Sequence, residues 1–301
     1  MVDISTRLNS LSLSNPTMLA SGIMDEDAGS MQRVLESGAA AVVTKSIGFH
    51  PRNGHPNPTF VDLDFGILNA MGLPNPGVII YIEELKELKK NPCIVVGSIF
   101  GSTAIEFKKI AKEMIPYVDA FELNLSCPHA KGYGLEIGQD PVFVSEITKA
   151  VVTTVSLPVF VKLSAQVNDI KSIGKAAEKA GASGIVAINT LKAMSINVDL
   201  KRPVLGNKTG GYSGKAIKPI GIRAVYDLYE HVSIPIIGVG GITTGLDAIE
   251  YLMAGATSVQ IGTAVYTRGI HVFELICDEI KTWMKQNNIY SISELIGVAH
   301  Q

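Results

Sequence analysis

Cysteine is scarce in this chain of 301 residues: there are three, Cys93, Cys127 and Cys277. They are odd in number and widely spaced, which excludes a disulfide framework or a metal knuckle. A reduced, cytoplasmic setting and no bound metal are expected. Charge imbalance is also missing: 26 basic against 28 acidic residues leave a net charge of −2. Nothing there favours a nucleic-acid partner. No apolar run approaches the ~18 residues of a membrane span, and the opening MVDISTRLNS lacks the pattern of a signal peptide. Aromatics make up only 6%. Two nucleotide fingerprints fail as well. GVGGITTG has Thr243 where the third glycine of a dinucleotide turn belongs, and TGGYSGKA has Thr209 and Ala216 at defining positions of a P-loop.

What is present is a large apolar fraction, 47%, together with 29 glycines. Short, nearly continuous apolar runs lie at 17–21, 40–46, 93–99, 120–126, 158–164, 184–190, 235–241 and 258–264. Continuity, rather than alternation, marks strands buried on both faces. Amphipathic stretches such as AIEFKKIAKEMI and GLDAIEYLMAG separate them. Eight strand–helix units predict a (β/α)₈ TIM barrel as one domain over 1–301, in preference to an open doubly wound sheet. Residues 2–16 read as a short hairpin plugging the barrel bottom. Long loops at 47–77, 127–140 and 191–217 follow strands two, four and six, on the side where barrel enzymes build their sites.

Residue types at those strand ends point to chemistry. Gly240-Gly241 and Gly262-Thr263 follow strands seven and eight, where backbone N–H groups close on a phosphate in barrels. Lys45 and Lys162 end strands, and a lysine in a barrel mouth is costly to desolvate unless it meets an anion. Asn69, Asn124 and Asn189 recur in the same region. Amides both donate and accept, so together they can read a ring bearing C=O and N–H groups. Cys127 opens a glycine-containing loop straight after a strand and is a candidate base, acid or nucleophile, with His129 close by. Cys93 and Cys277, in a strand and a helix, read as structural.

Across these motifs the sequence resembles the class 1 dihydroorotate dehydrogenases. The likeness spans about residues 3–285 and is carried by ASGI, TKSIG, NAMGLPNPG, NLSCP, VKLS, INT, GGYSGKAIKP, GVGGI and IGTA. The resemblance implies an FMN cofactor contacted by Ser21, Lys45, Ser46, Ser98, Asn124, Lys162, Ile188, Gly214, Gly240, Gly241, Gly262 and Thr263. It implies a substrate held by Lys45, Asn69, Ala70, Met71, Gly72, Leu73, Asn124, His129, Asn189 and Thr190, with Cys127 as the base. Two positions depart from the family pattern: Ser98 and His129 stand where many members have asparagine.

The implied reaction is oxidation of dihydroorotate to orotate in pyrimidine biosynthesis, with a proton passing to Cys127 and a hydride to FMN. No nicotinamide or iron–sulfur motif is evident in this chain. The likeness to class 1B therefore implies an electron-transfer subunit bearing FAD and a [2Fe–2S] cluster and passing electrons to NAD⁺, in a heterotetramer; a homodimer is the other assembly expected. Three alternatives stand beside this reading: a fumarate-dependent class 1A enzyme, a uracil reductase like dihydropyrimidine dehydrogenase, and a barrel that only binds a phosphorylated ligand. NLSCPHAKGYG suits the uracil reductase. NAMGLPNPG argues against it, because that loop resembles one that receives a carboxylate, which uracil lacks.

Overall fold

The computed structural model describes residues 2–125 and 138–301. A hairpin comes first, β1 (Thr6–Leu8) and β2 (Leu11–Leu13), paired antiparallel. The barrel strands follow in chain order with smaller strands between them: β3 (Thr17–Leu19), β4 (Ala41–Val43), β5 (Phe60–Leu63), β6 (Gly66–Asn69), β7 (Val95–Ile99), β8 (Ala120–Asn124), β9 (Val159–Leu163), β10 (Gly184–Ala187), β11 (Leu191–Ala193), β12 (Ile196–Asn197), β13 (Arg202–Pro203), β14 (Gly210–Ser213), β15 (Ile236–Val239) and β16 (Ser258–Ile261). Strands β3, β4, β7, β8, β9, β10, β15 and β16 close into one parallel barrel. Each lies inside one of the eight apolar runs, and nearly all their residues are buried, as two covered faces require.

The helices between strands start where the sequence offers a cap. Asp27, Thr103, Asp140 and Asp169 each accept a backbone N–H in the first turn of the helix they open. Thr244 and Asp247 form a reciprocal capping box on the helix Gly245–Met253. The expected plug is present. Leu8, Leu11 and Leu13 pack with Met18, Ala41, Val43, Val96, Ala120, Phe160, Val186 and Ile237, which fill the barrel interior. A larger apolar layer lies between barrel and helices. No helix among the described residues is long and apolar enough to cross a membrane.

Two of the three long loops carry strands of their own. Segment 47–77 carries the hairpin β5–β6, and segment 191–217 carries β11 to β14. They join in a four-stranded antiparallel sheet, β11-β14-β6-β5, with Asn69 opposite Gly211 and Leu68 opposite Tyr212. Of the third loop, 127–140, the part up to residue 137 lies outside the described residues.

Candidate active site

A cavity of about 370 Å³ opens at the C-terminal ends of the barrel strands, bordered by residues of β6 and β14. That volume is within the range of small-molecule and cofactor sites. Sixteen of the sequence-derived candidates line it: Ser21, Lys45, Ser46, Asn69, Met71, Leu73, Asn124, Lys162, Ile188, Asn189, Thr190, Gly214, Gly240, Gly241, Gly262 and Thr263. Strand alternation aims several of them. In Ala120–Asn124, Glu122 and Asn124 share the inward face, and both line the cavity.

Polar side chains on the wall form one connected network. Asn189 Nδ2 donates to Asn124 Oδ1 at 3.2 Å, and Asn124 Nδ2 donates to Ser46 Oγ at 3.0 Å. Ser46 is also bonded to Ser98 at 2.9 Å and to Ser21 at 3.3 Å. Ser98 is fully buried and reaches the wall through Ser46, so its short side chain sits one layer beneath the cavity. Lys45 Nζ meets Glu26 at 3.2 Å at the rim.

Deeper in, Lys162 Nζ donates to Glu122 Oε1 at 3.1 Å and to Gln260 Oε1 at 3.2 Å. Gln260 Nε2 donates to Glu122 Oε2 at 2.7 Å. All three are buried. Lys162 therefore meets a carboxylate of the protein itself, which the sequence reading missed. The inward period of two on β8, which puts Glu122 beside Asn124, was the signal available.

On the opposite wall, Gly240 and Gly241 both have positive φ, +126° and +68°. A Cβ on Gly241 would lie 2.8 Å from Lys218 Cβ and 2.9 Å from Gly214 O, so only glycine fits that turn. Tyr251 donates to Gly240 O at 2.7 Å. Asp247 accepts from Thr243 N, Thr243 Oγ1 and Thr244 N and pairs with Lys218, a setting that outweighs its partial burial and holds its carboxyl at about 2. The neighbouring helix, Thr263–Arg268, starts at Gly262 with no side-chain cap, leaving its first N–H groups to the cavity side. Thr263 Oγ1 donates to Ser213 Oγ at 2.9 Å.

The loop 69–73 is only partly as expected. Met71 and Leu73 line the cavity. Ala70 does not: it is buried in a small cluster with Leu68 and Leu205, and its N–H donates to Thr59 O at 2.7 Å. Gly72 has φ +78°, and a Cβ there would meet His55 N at 2.6 Å. Its freedom thus lets the loop turn against His55. Cys127 and His129 lie outside the described residues. Cys93 is half-buried and Cys277 buried, and desolvation raises both thiols, Cys277 to about 11.

One buried acid was also missed. Asp25 is fully buried beneath the loop that carries Ser21 and Gly22. It accepts Gly22 N–H at 2.5 Å through Oδ2, while Oδ1 has no hydrogen-bond partner among the described residues. Desolvation raises its carboxyl to about 6 despite Lys45 nearby.

Comparison with known proteins agrees with this architecture. Residues 3–284 match the family model described as dihydroorotate dehydrogenase. A protein of Methanocaldococcus jannaschii is 51% identical over 302 residues, covering 99% of this chain and 98% of its own length. One from Pyrococcus furiosus is 52% identical over 301 residues, covering all of both chains. One from Thermoplasma acidophilum is 50% identical over 300 residues, 99% of each. All three are named dihydroorotate dehydrogenase B (NAD(+)), catalytic subunit. In fold, the chain is similar to a crystal structure of a dihydroorotate dehydrogenase from Eimeria tenella in complex with ferulenol, with a TM-score of 0.88, 24% identity, and coverage of 99% of this chain and 89% of that one. The chain belongs to the dihydroorotate dehydrogenase family.

Proposed function

We propose that this chain oxidises dihydroorotate to orotate in pyrimidine biosynthesis, with FMN held in the barrel-mouth cavity; its relatives are named dihydroorotate dehydrogenases. The observation that carries the reading is the meeting, around one cavity, of two lysines and an amide–hydroxyl network with two glycine turns and an uncapped helix start. That donor set suits FMN. Gly240, Gly241, Gly262 and Thr263 offer backbone N–H groups to a phosphate. Ser21, Lys45, Ser46, Asn124, Lys162, Ile188 and Gly214 offer donors and apolar surface to the rest, with Ser98 acting through Ser46. FMN bound there would supply the acceptor for the hydride that leaves C6 of the substrate.

The chain's own residues do the remainder. Asn69, Asn124, Asn189 and Thr190 hold the ring, and the Asn124–Asn189 bond fixes which amide atoms face it. Lys45 and the backbone N–H groups of Met71, Gly72 and Leu73 receive the carboxylate. Ala70 shapes that loop from behind, since its own N–H is engaged. Cys127 takes the C5 proton, which the adjacent carbonyl acidifies, and His129, two positions along the sequence, contacts the substrate in this reading. Loss of that proton and of the C6 hydride leaves the C5=C6 double bond of orotate.

Electrons leave through a separate subunit in this reading. Its support is the name of the relatives, catalytic subunit of an NAD(+) enzyme. A partner bearing FAD and a [2Fe–2S] cluster, within a heterotetramer, would connect the cavity to NAD⁺; a cytoplasmic site goes with it. The test is anaerobic. The purified chain should show a flavin spectrum that dihydroorotate bleaches and dihydrouracil does not. Protein without flavin, or bleaching by both compounds alike, overturns the assignment.

A further inference from the structure

Glu122 is buried without trace of exposure, and both its oxygens are fixed, one by Lys162 Nζ at 3.1 Å and one by Gln260 Nε2 at 2.7 Å. The three side chains come from β8, β9 and β16, and all three line the cavity. Register gives the arrangement a direction. Asn124 stands opposite Lys162, whereas Glu122 stands opposite Phe160, so the lysine is rooted two residues nearer the mouth than the carboxylate. The buried end of the cavity thus presents an oriented ion pair, positive side toward the ligand. Among the described residues, Glu122 is the charged group hydrogen-bonded to Lys162; Gln260 is neutral, and the residue beside Lys162 on β10 is Val186.

From this geometry we infer that Glu122 is a positioning residue that lowers the reduction potential of the bound flavin by offsetting the field of Lys162. The inference rests on the assignment of FMN to this cavity. A ligand that gains electrons is stabilised by a nearby cation in a low-dielectric site. A fixed carboxylate 3.1 Å from that cation cancels much of the stabilisation. The offset keeps the flavin from holding its electrons too tightly to pass them on. Gln260 holds the second oxygen, so the carboxylate cannot turn away and release the lysine's full field.

The experiment is a reductive titration of the FMN-loaded chain against reference dyes at fixed pH. Glu122→Gln keeps the shape and one of the two acceptor oxygens, and removes the charge. Its midpoint should rise by at least tenfold in the reduced-to-oxidised ratio, which is about 30 mV for a two-electron couple. Glu122→Asp keeps the charge but withdraws it by one methylene, and should give a smaller rise of the same sign. It provides the reading if the glutamine variant does not retain flavin. A role in packing alone would alter thermal stability or FMN affinity and leave the midpoint in place. An unchanged or lowered midpoint in a flavin-loaded variant therefore overturns the inference. Absence of flavin from the wild-type chain would instead overturn the proposed function on which it stands.

Discussion

The side chains of Asn124 and Asn189, rooted at the ends of β8 and β10, meet directly across the cavity wall: Asn189 Nδ2 donates to Asn124 Oδ1 at 3.2 Å. The bond orients both amides, and Asn124 in turn passes its own donor to Ser46. The two residues should therefore act as a unit. Asn124→Ala and Asn189→Ala are each expected to slow flavin reduction by dihydroorotate at least about tenfold while FMN stays bound. The double variant should slow it by less than the product, with a coupling of about 0.5–3 kcal/mol. Stopped-flow reduction of all four proteins measures this; strict additivity would mean the bond does not organise the site.

The carboxylate loop makes a second prediction. Gly72 turns with φ +78° against His55, where a Cβ would lie 2.6 Å from His55 N. Gly72→Val must displace the loop, so it should weaken orotate binding by at least about tenfold and leave FMN in place. In the native protein, orotate should bind at least about 100-fold more tightly than uracil, since a site built for an anion leaves its donors unpaired without one. Titrating the flavin spectrum with each ligand decides the matter. Equal affinities would make this loop a structural turn.

Cysteine substitutions separate chemistry from packing. Burial pushes the thiol of Cys277 up to about 11 and raises that of Cys93, so neither is a thiolate near neutrality. Cys93→Ala and Cys277→Ala should be reduced by dihydroorotate at the native rate. Cys127→Ala should be slower by roughly 100-fold or more, the usual scale for losing a general base. Single-turnover reduction is the measurement, and three equal rates would move the base elsewhere.

Asp25 gives stability a pH dependence of known sign. Its folded-state carboxyl, raised to about 6 by burial, sits above the ordinary value of 3.8. Between those values the folded chain binds more protons than the unfolded one, so this contribution to stability is greatest below pH 4 and is lost as pH rises toward 6. The loss amounts to about 3 kcal/mol. Lys45 favours the charged form and Glu26 opposes it, and neither reverses the sign. Asp25→Asn should accordingly be more stable than the native chain at pH 8 and lose this component of the pH dependence. Urea unfolding at pH 5 and pH 8 tests it; a variant less stable at pH 8 would show that the charged form is stabilised by the fold.

Electron transfer supplies the last prediction. The isolated chain should reduce an artificial dye with dihydroorotate but not NAD⁺, and NAD⁺ reduction should require the partner subunit. Efficient NAD⁺ reduction by the chain alone would end the two-subunit reading, and rapid turnover with fumarate would favour a stand-alone enzyme.

Much of this was legible in the amino-acid order. Apolar runs marked eight strands, amphipathic stretches between them marked the helices, and glycines and lysines at strand ends outlined the cavity, because each signal is local and follows from backbone geometry and burial. Three features were decided only by tertiary structure. The segments 60–69 and 191–213 form a shared sheet over the mouth, a pairing between residues more than a hundred positions apart that neither segment encodes alone. Ala70 turns away from the cavity and Ser98 sits beneath it, since one residue of register decides which face a side chain takes. Glu122 and Gln260 become partners of Lys162 because barrel closure brings β8, β9 and β16 around one interior, where a lysine needs a counter-charge that its own strand does not supply.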